Sequence, residues 1–308
     1  MTKKNKMLPS GFYDLLFDDA RKDYYVKNII SGHFFSNDFN LIKLPLLEFK
    51  DNFTSTQTDR SFSTVDTQSG RDLVLRSDIT LQIARLLETR LKDYPLPLKL
   101  CYEGDVFVTK NDELYADRQL TQSGFEIIGC ENDDFLEIIE SSVDLTLQMI
   151  DRKCVFEISI PNFAKILCDE MDIEYNDDFR DIIKRKNLTE VRKLLDERAG
   201  DLFCNIMTNF SDLNFICREV SKYSNSQKIN EYLSRISLAA DRISKKFPEI
   251  ELCFDIFGDE CGSYHKNVAF KIFCQDYSYP LVKGGIYNVC DMESVGATFY
   301  VNHIRKII

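Results

Sequence analysis

Apolar residues first recur at helical spacing after the segment LPSGFYDLLFDDA, at Tyr25, Val26, Ile29, Ile30 and Phe34, and predict a long helix there. The next run, FNLIKLPLLEF, is extended in character and broken by Pro45. RDLVLRSDITLQIARLLETRL reads as a strand entering a helix, with Ser77 or Asp78 placed to cap the first turn and Ile79, Ile83, Leu86 and Leu87 forming the buried stripe. Two longer apolar runs, LPLKLCYEGDVFV and RQLTQSGFEIIG, flank the polar segment TKNDELYAD and predict a long antiparallel hairpin. A helical pattern over Asp134 to Lys153 carries Ile138, Ile139, Val143, Leu147 and Ile150, and CVFEISI follows as a strand. Residues 161–247 are helical in character, with Asn187 or Thr189 as caps in NLTEVRKLLDE, and INEYLSRISLAADRISKKF closes the region before Pro248. The last sixty or so residues return to strands in ELCFDIF, NVAFKIFCQD and around LVKGGIYNV, then end in an amphipathic piece, SVGATFYVNHIRKII. Strands gathered at both ends of the chain and flanked by helices indicate an α+β domain built on one mixed or antiparallel sheet, with 161–247 as a helical insertion.

One strand carries an unusual polar pattern. Side chains alternate across a strand, so Leu120, Gln122, Gly124, Glu126 and Ile128 share one face of RQLTQSGFEIIG. That face is a polar notch between apolar ends. A mid-strand glycine marks close approach of a ligand or another backbone, and an inward carboxylate needs a cation or several donors to offset its desolvation. A small cationic ligand meets both demands; an edge strand with Glu126 facing water is the alternative.

The chain has 308 residues, 44% of them hydrophobic, enough for one large domain or two ordinary ones at roughly 100–200 residues each. Lys and Arg total 39 against 50 Asp and Glu, a formal charge of −11, which repels nucleic-acid backbones and anionic membrane. No run of about 18 apolar residues and no signal-peptide core follows the basic start MTKKNKMLPS, so the expected location is the cytoplasm. The ten cysteines are scattered singly, with no C-x-x-C, and read as small reduced core residues. His33, His265 and His303 are far apart in sequence and give no support for a zinc site or a catalytic triad; no metal and no cofactor are expected.

The order of these pieces resembles the class II aminoacyl-tRNA synthetase fold, and within it the histidyl-tRNA synthetase branch. GFYDLL resembles that branch's opening segment, and FNLIKLPLLE the first class II motif, whose proline (Pro45 here) lies at the dimer interface. LRSDITLQIAR resembles its L-R-[PS]-[DE]-x-T segment, and CYEGDVFV with RQLTQSGFEIIG the second motif and the strand after it. YHKNVAF, GGIYN and VGATFYVNHI resemble the later segments and a degraded third motif. Seven such segments in one order span nearly the whole chain. The resemblance implies a single class II synthetase-like domain over 1–308, an antiparallel sheet flanked by helices with the helical insertion at about 161–247, and no anticodon-binding domain.

It also implies a pocket. Asp78, Thr80 and Gln122 match positions that receive an amino acid's α-ammonium group, while Glu126, Tyr264 and Tyr287 fall in the segments that surround a histidine ring. The replacements HKN for H-T-G, and Ile286 and Asn288 within GGIYN, alter the ring side. Adenylation needs fixed cations on the ATP phosphates. Here the second-motif arginine position is Val108, the one before YH falls at Glu260 or its neighbours, and the third-motif position is His303.

A synthetase-like chain stripped of phosphate arginines resembles the regulatory subunits of ATP phosphoribosyltransferase, the first enzyme of histidine biosynthesis. That resemblance implies a non-catalytic dimer that joins the short catalytic chain in a hetero-oligomer, activates it and transmits histidine feedback as a coupling between two states. Histidine would occupy either the old synthetase pocket or a subunit interface. The alternatives are a small amino-acid-activating ligase that uses Arg118 or Lys110, and a binding module of the same fold serving another partner. Taken singly, Tyr264 and Tyr287 read as core or interface aromatics, His265 and His303 as packed or surface histidines, and Asp78 as an N-cap.

Overall fold

The computed structural model describes residues 7–54, 58–109, 117–224, 226–258 and 265–308. They fall into two compact units, one formed by the chain up to Ile128 together with Thr298–Ile308, the other by Gly129–Ala297.

In the first unit, helix α1 (Phe17–Ser36) buries Asp23, Val26, Ile30 and Phe34. These positions follow a single helical stripe. Tyr25, expected on that face, is exposed, and Ile29 is only partly covered, because each lies about 100° around the helix from its buried neighbour. Phe34 meets Phe125 at 5.0 Å between ring centroids, and Phe125 stacks on Phe299 at 6.2 Å, so aromatic rings form much of the core under the helix. Strands β1 (Asn40–Ile42) and β2 (Leu47–Phe49) flank Pro45. The latter joins β3 (Ser63–Val65) and β4 (Asp72–Leu75) in a small antiparallel sheet of order β2-β4-β3.

Helix α2 (Thr80–Glu88) follows β4 and buries Ile83, Leu86 and Leu87, with Ile79 just before it, as the spacing predicts. Of the two residues expected to cap its first turn, Asp78 does so and Ser77 does not. Ile79, already helical in backbone, stands just before Thr80 and has no side-chain acceptor of its own. Asp78 accepts from the Thr80 amide at 2.8 Å and so satisfies an N–H of the first turn, while Ser77 meets the Ser61 hydroxyl at 3.2 Å. The predicted hairpin is present: β5 (Leu98–Phe107) and β6 (Gln119–Ile128) pair antiparallel from Leu98 opposite Ile128 to Phe107 opposite Gln119. β1 lies parallel to β5, which makes the sheet mixed.

The second unit opens with α3 (Asn132–Met149). It starts two residues before the predicted helix because Glu131 and Asp134 form a capping box, and it stops before Lys153 because Ile150 turns to extended backbone. Ile138, Ile139 and Val143 are buried as expected, while Leu147 is only partly covered. β7 (Cys154–Ser159) is followed by α4 (Phe163–Glu170), α5 (Asp177–Lys184), α6 (Leu188–Leu194), α7 (Glu197–Thr208), α8 (Leu213–Ser221) and α9 (Gln227–Lys246). Asn187, not Thr189, caps α6, and Asn176, Asp196 and Asp212 cap α5, α7 and α8. Helix α3 is tied to α9 through Glu140, which takes Lys246 at 2.5 Å and also Arg242. Burial alone would raise this carboxyl's pKa; the two cations outweigh it and hold the group below its ordinary value.

β8 (Glu251–Phe254), β9 (His265–Cys274), β10 (Tyr277–Val289) and β11 (Met292–Tyr300), the last as far as Ala297, complete this unit in the order β11-β10-β9-β7-β8. β7 and β8 run parallel, whereas β9 is antiparallel to both β7 and β10. A Cβ at Gly284 would collide with the Phe270 ring and the Gly296 carbonyl, so only glycine lets these strands pack. The amphipathic tail, expected as one piece, is β11 followed by the short helix α10 (Val301–Arg305), which packs on α1 in the first unit.

All nine described cysteines are free thiols. Among the described residues no group of three or more His, Cys, Asp and Glu side chains could hold a metal ion, and no helix is long and apolar enough to cross a membrane.

Candidate functional site

The first unit brings four of the expected residues together. Gln122 and Glu126 stand on the β6 face that meets Leu100, Tyr102 and Gly104 of β5, and the start of α2 presents Asp78 and Thr80 to them. Gln122 is buried, and its orientation is set from both ends: its Oε1 accepts from the Ile79 amide at 3.2 Å, and its Nε2 donates to Asp78 Oδ2 at 3.1 Å. Asp78 uses its other oxygen for the Thr80 amide, so the turn before α2 and the β6 strand are locked to each other.

Glu126 does not face water. It is 2% exposed, and two hydroxyls donate to its Oε1, Thr80 Oγ1 at 3.1 Å and Tyr102 OH at 3.2 Å. Charge-assisted bonds of this kind offset the desolvation of a buried carboxylate. The Tyr102 hydroxyl lies 2.8 Å from Thr298 Oγ1, so with Thr298 as donor the chain of hydroxyls runs in one direction toward Glu126. Burial, then the charges of Glu126 and Asp78, push the Tyr102 phenol well above its ordinary value, which keeps it a neutral donor. Sequence reasoning missed Tyr102 as a member of this cluster. The signal was its register: alternation on β5 puts it on the same face as Gln122 and Glu126, opposite Gly124.

Arg76 was also missed. Its guanidinium donates to the Asp105 carbonyl at 2.7 Å and the Leu44 carbonyl at 3.0 Å, and Gly104 leaves the room it fills, since a Cβ there would run into it. Burial pulls its pKa down, while Asp105 and Asp78 oppose that. Nearby, Gln82 donates to Glu48 at 2.7 Å, and Arg85 grips the same buried carboxylate through both oxygens at 2.7 and 2.9 Å. These contacts fix β2, β4 and α2 around the turn that carries Asp78 and Thr80.

The positions expected to lack phosphate-binding cations can be followed in part. Val108, half-buried, makes backbone bonds with Arg118: its amide donates to the Arg118 carbonyl, and its carbonyl accepts from Arg118 Nε. The Arg118 guanidinium lies over the Phe62 ring at 4.6 Å and the Phe12 ring at 5.7 Å. His303 is buried and stacks on Tyr300 at 5.4 Å, and the cation that follows it, Arg305, turns to Asp23 at 3.7 Å. Lys110, Glu260 and Tyr264 lie outside the described residues, as does the side chain of His265. Tyr287 is a fully buried ring on β10 of the second unit.

What this arrangement offers is a pair of carboxylates, Asp78 and Glu126, beside an oriented carboxamide and two hydroxyls. Such a set suits a protonated amine or a zwitterion.

The fold is that of the histidyl-tRNA synthetase-like class II proteins. The crystal structure of an ATP phosphoribosyltransferase regulatory subunit/histidyl-tRNA synthetase from Bacillus halodurans C matches with a TM-score of 0.85 at 20% identity, over 100% of this chain and 84% of that one. A chain of the ATP phosphoribosyl transferase (HisG:HisZ) complex from Thermotoga maritima matches with a TM-score of 0.69 at 18% identity, over 93% of this chain and 98% of that one. The histidyl-tRNA synthetase family model covers residues 11–304, and the chain belongs to that family. Among curated relatives, the ATP phosphoribosyltransferase regulatory subunit of Clostridium kluyveri is 28% identical over 309 residues, 94% of this chain and 77% of the relative.

Proposed function

We propose that this chain is a non-catalytic regulatory subunit of ATP phosphoribosyltransferase, acting in the cytoplasm as a dimer that binds the short catalytic chain, activates it and transmits feedback by histidine. One observation carries the reading: Asp78, Thr80, Gln122 and Glu126 are assembled in one hydrogen-bonded cluster, all but Asp78 buried, while Val108 and His303 stand where an adenylating site would place arginines. Similarity to the regulatory subunits of Rhodospirillum rubrum and Clostridium kluyveri, and to a chain of the Thermotoga maritima HisG:HisZ complex, supports the same partnership.

In this reading the cluster receives the α-ammonium group and the ring of histidine. Asp78 and Gln122 take the ammonium, with the Gln122 amide held in register by the Ile79 N–H. Glu126, held by Thr80 and Tyr102, accepts from the imidazole N–H. The assignment of Tyr264 and Tyr287 to the ring side rests on the family resemblance alone. Histidine regulates only to the extent that it binds one state of the assembly better than the other; a coupling of about 1–3 kcal/mol is the usual size.

Amino-acid-dependent pyrophosphate exchange tests the choice against a ligase. The regulatory reading expects exchange at background with every amino acid, histidine included. Exchange above background with one amino acid would make the chain an enzyme, and Arg118, lying against two aromatic rings, would then have to swing out to serve as its cation.

A further inference from the structure

The second unit holds a cavity of about 900 Å³ that contains none of the expected histidine-binding residues and shares only Ile286 with the synthetase-like segments. Phe135 and Leu136 from the first turn of α3, with Ile286 of β10, give it apolar walls, and α9 forms its long side. From Gln227 to Leu238, three turns of α9 border it, a wall about 17 Å long at 1.5 Å per residue. That length matches an extended segment of about five residues, and a compact metabolite would leave much of it uncovered.

Its charge is lopsided. Arg235 lies in the cavity but is paired with Glu293 at 3.3 Å, and Glu293 also accepts from Asn267 at 2.9 Å. Glu131 and Glu231 bring the lining to three carboxylates against one cation, Arg235, and a smaller recess next to it adds Asp133. The field reaches Cys130 at the groove's end: burial first, then Glu293 and Asp134, push its thiol up to about 11. On the outer edge, Leu238 is 54% exposed on an otherwise polar helical face. An apolar cleft with a net acidic rim and an exposed leucine is complementary to a segment that sets an apolar side chain next to Lys or Arg.

We propose that this groove between the start of α3 and α9 docks a basic, partly apolar segment of the catalytic phosphoribosyltransferase chain. The inference rests on the regulatory-subunit reading and adds to it the surface and the chemistry of the contact.

The test uses the full chain and a short-form ATP phosphoribosyltransferase catalytic chain, with association measured by titration calorimetry. Glu231→Lys and Leu238→Glu change exposed positions, and a thermal melt checks that each variant is folded. The expected result is a Kd weakened at least tenfold by either substitution, together with slowed amide exchange over residues 227–238 when the unaltered chain binds. Unaltered association that both variants retain, with no protection of α9, overturns the groove while leaving the regulatory reading in place. No association of the unaltered chain removes the regulatory reading and the groove with it.

Discussion

Tyr102 and Gly124 sit directly opposite one another on β5 and β6, and from that position the Tyr102 hydroxyl reaches Glu126 Oε1 at 3.2 Å. The absence of a side chain at Gly124 and the presence of a phenol at Tyr102 are one arrangement seen from two strands. The glycine that marks the polar notch in the sequence faces the ring that supplies the donor.

Removing that donor should cost stability. Tyr102→Phe leaves Glu126 with one hydroxyl fewer and Thr298 without its partner, a loss of about 1–2 kcal/mol in a buried setting. Urea unfolding measures it. A double-mutant cycle with Glu126→Gln should show clear non-additivity, and strict additivity would mean that the two groups do not act on each other.

Histidine affinity should depend on charge at two positions. Asp78→Asn and Glu126→Gln each keep the shape and remove a charge, and a charge-assisted hydrogen bond is worth about 1.5–3 kcal/mol, or roughly tenfold to a hundredfold in Kd. Calorimetry with free histidine reads this directly. Unchanged affinity in both variants would move the ligand away from this cluster.

Glu48 is buried, with Gln82 and Arg85 on its carboxylate. Arg85→Ala strands the charge and should destabilise the chain by about 3 kcal/mol in chemical unfolding, whereas an Arg85→Met, Glu48→Gln pair should recover most of that. Equal losses from the single and the double change would show that packing, and not charge, holds β2 to α2.

The α3–α9 contact should depend on acidity. The folded-state pKa of Glu140 is held below its ordinary value of 4.5 by Lys246 and Arg242 acting against burial. A lowered pKa contributes stability that is complete above the unfolded value and is lost as pH falls through the folded one. The stability difference between the chain and its Glu140→Gln variant should therefore be flat from neutral pH down to about 5.5 and shrink below about 4.5. A difference that grows on acidification would reverse the sign of the argument.

Much of the fold was legible because its elements follow period and turn chemistry. The β5–β6 hairpin, the Ile83, Leu86 and Leu87 stripe of α2 and the cap at Asn187 each follow from a local rule. The misses come where a tertiary partner decides. Tyr25 fits the apolar pattern of α1 yet points out, because the core beneath is set by Phe34, Phe39 and Phe125. Asp78 reads as a first-turn cap and is one through the Thr80 amide, but its second oxygen takes Gln122, since β6 brings a carboxamide to it. Glu126 could be read as a water-facing residue until the Tyr102 and Thr80 hydroxyls are seen around it. Tyr102 and Arg76 carried no pattern of their own; only the strand register and the gap at Gly104 give them their roles.

The central claim is that an acidic amino-acid cradle without phosphate cations serves as a sensor for another enzyme. Phosphoribosyl transfer by a short-form catalytic chain, measured with and without this protein and then with histidine added, tests it most directly. The account predicts faster turnover on addition of the protein and inhibition by histidine that Glu126→Gln relieves. Turnover that neither rises with the protein nor responds to histidine in its presence would contradict it.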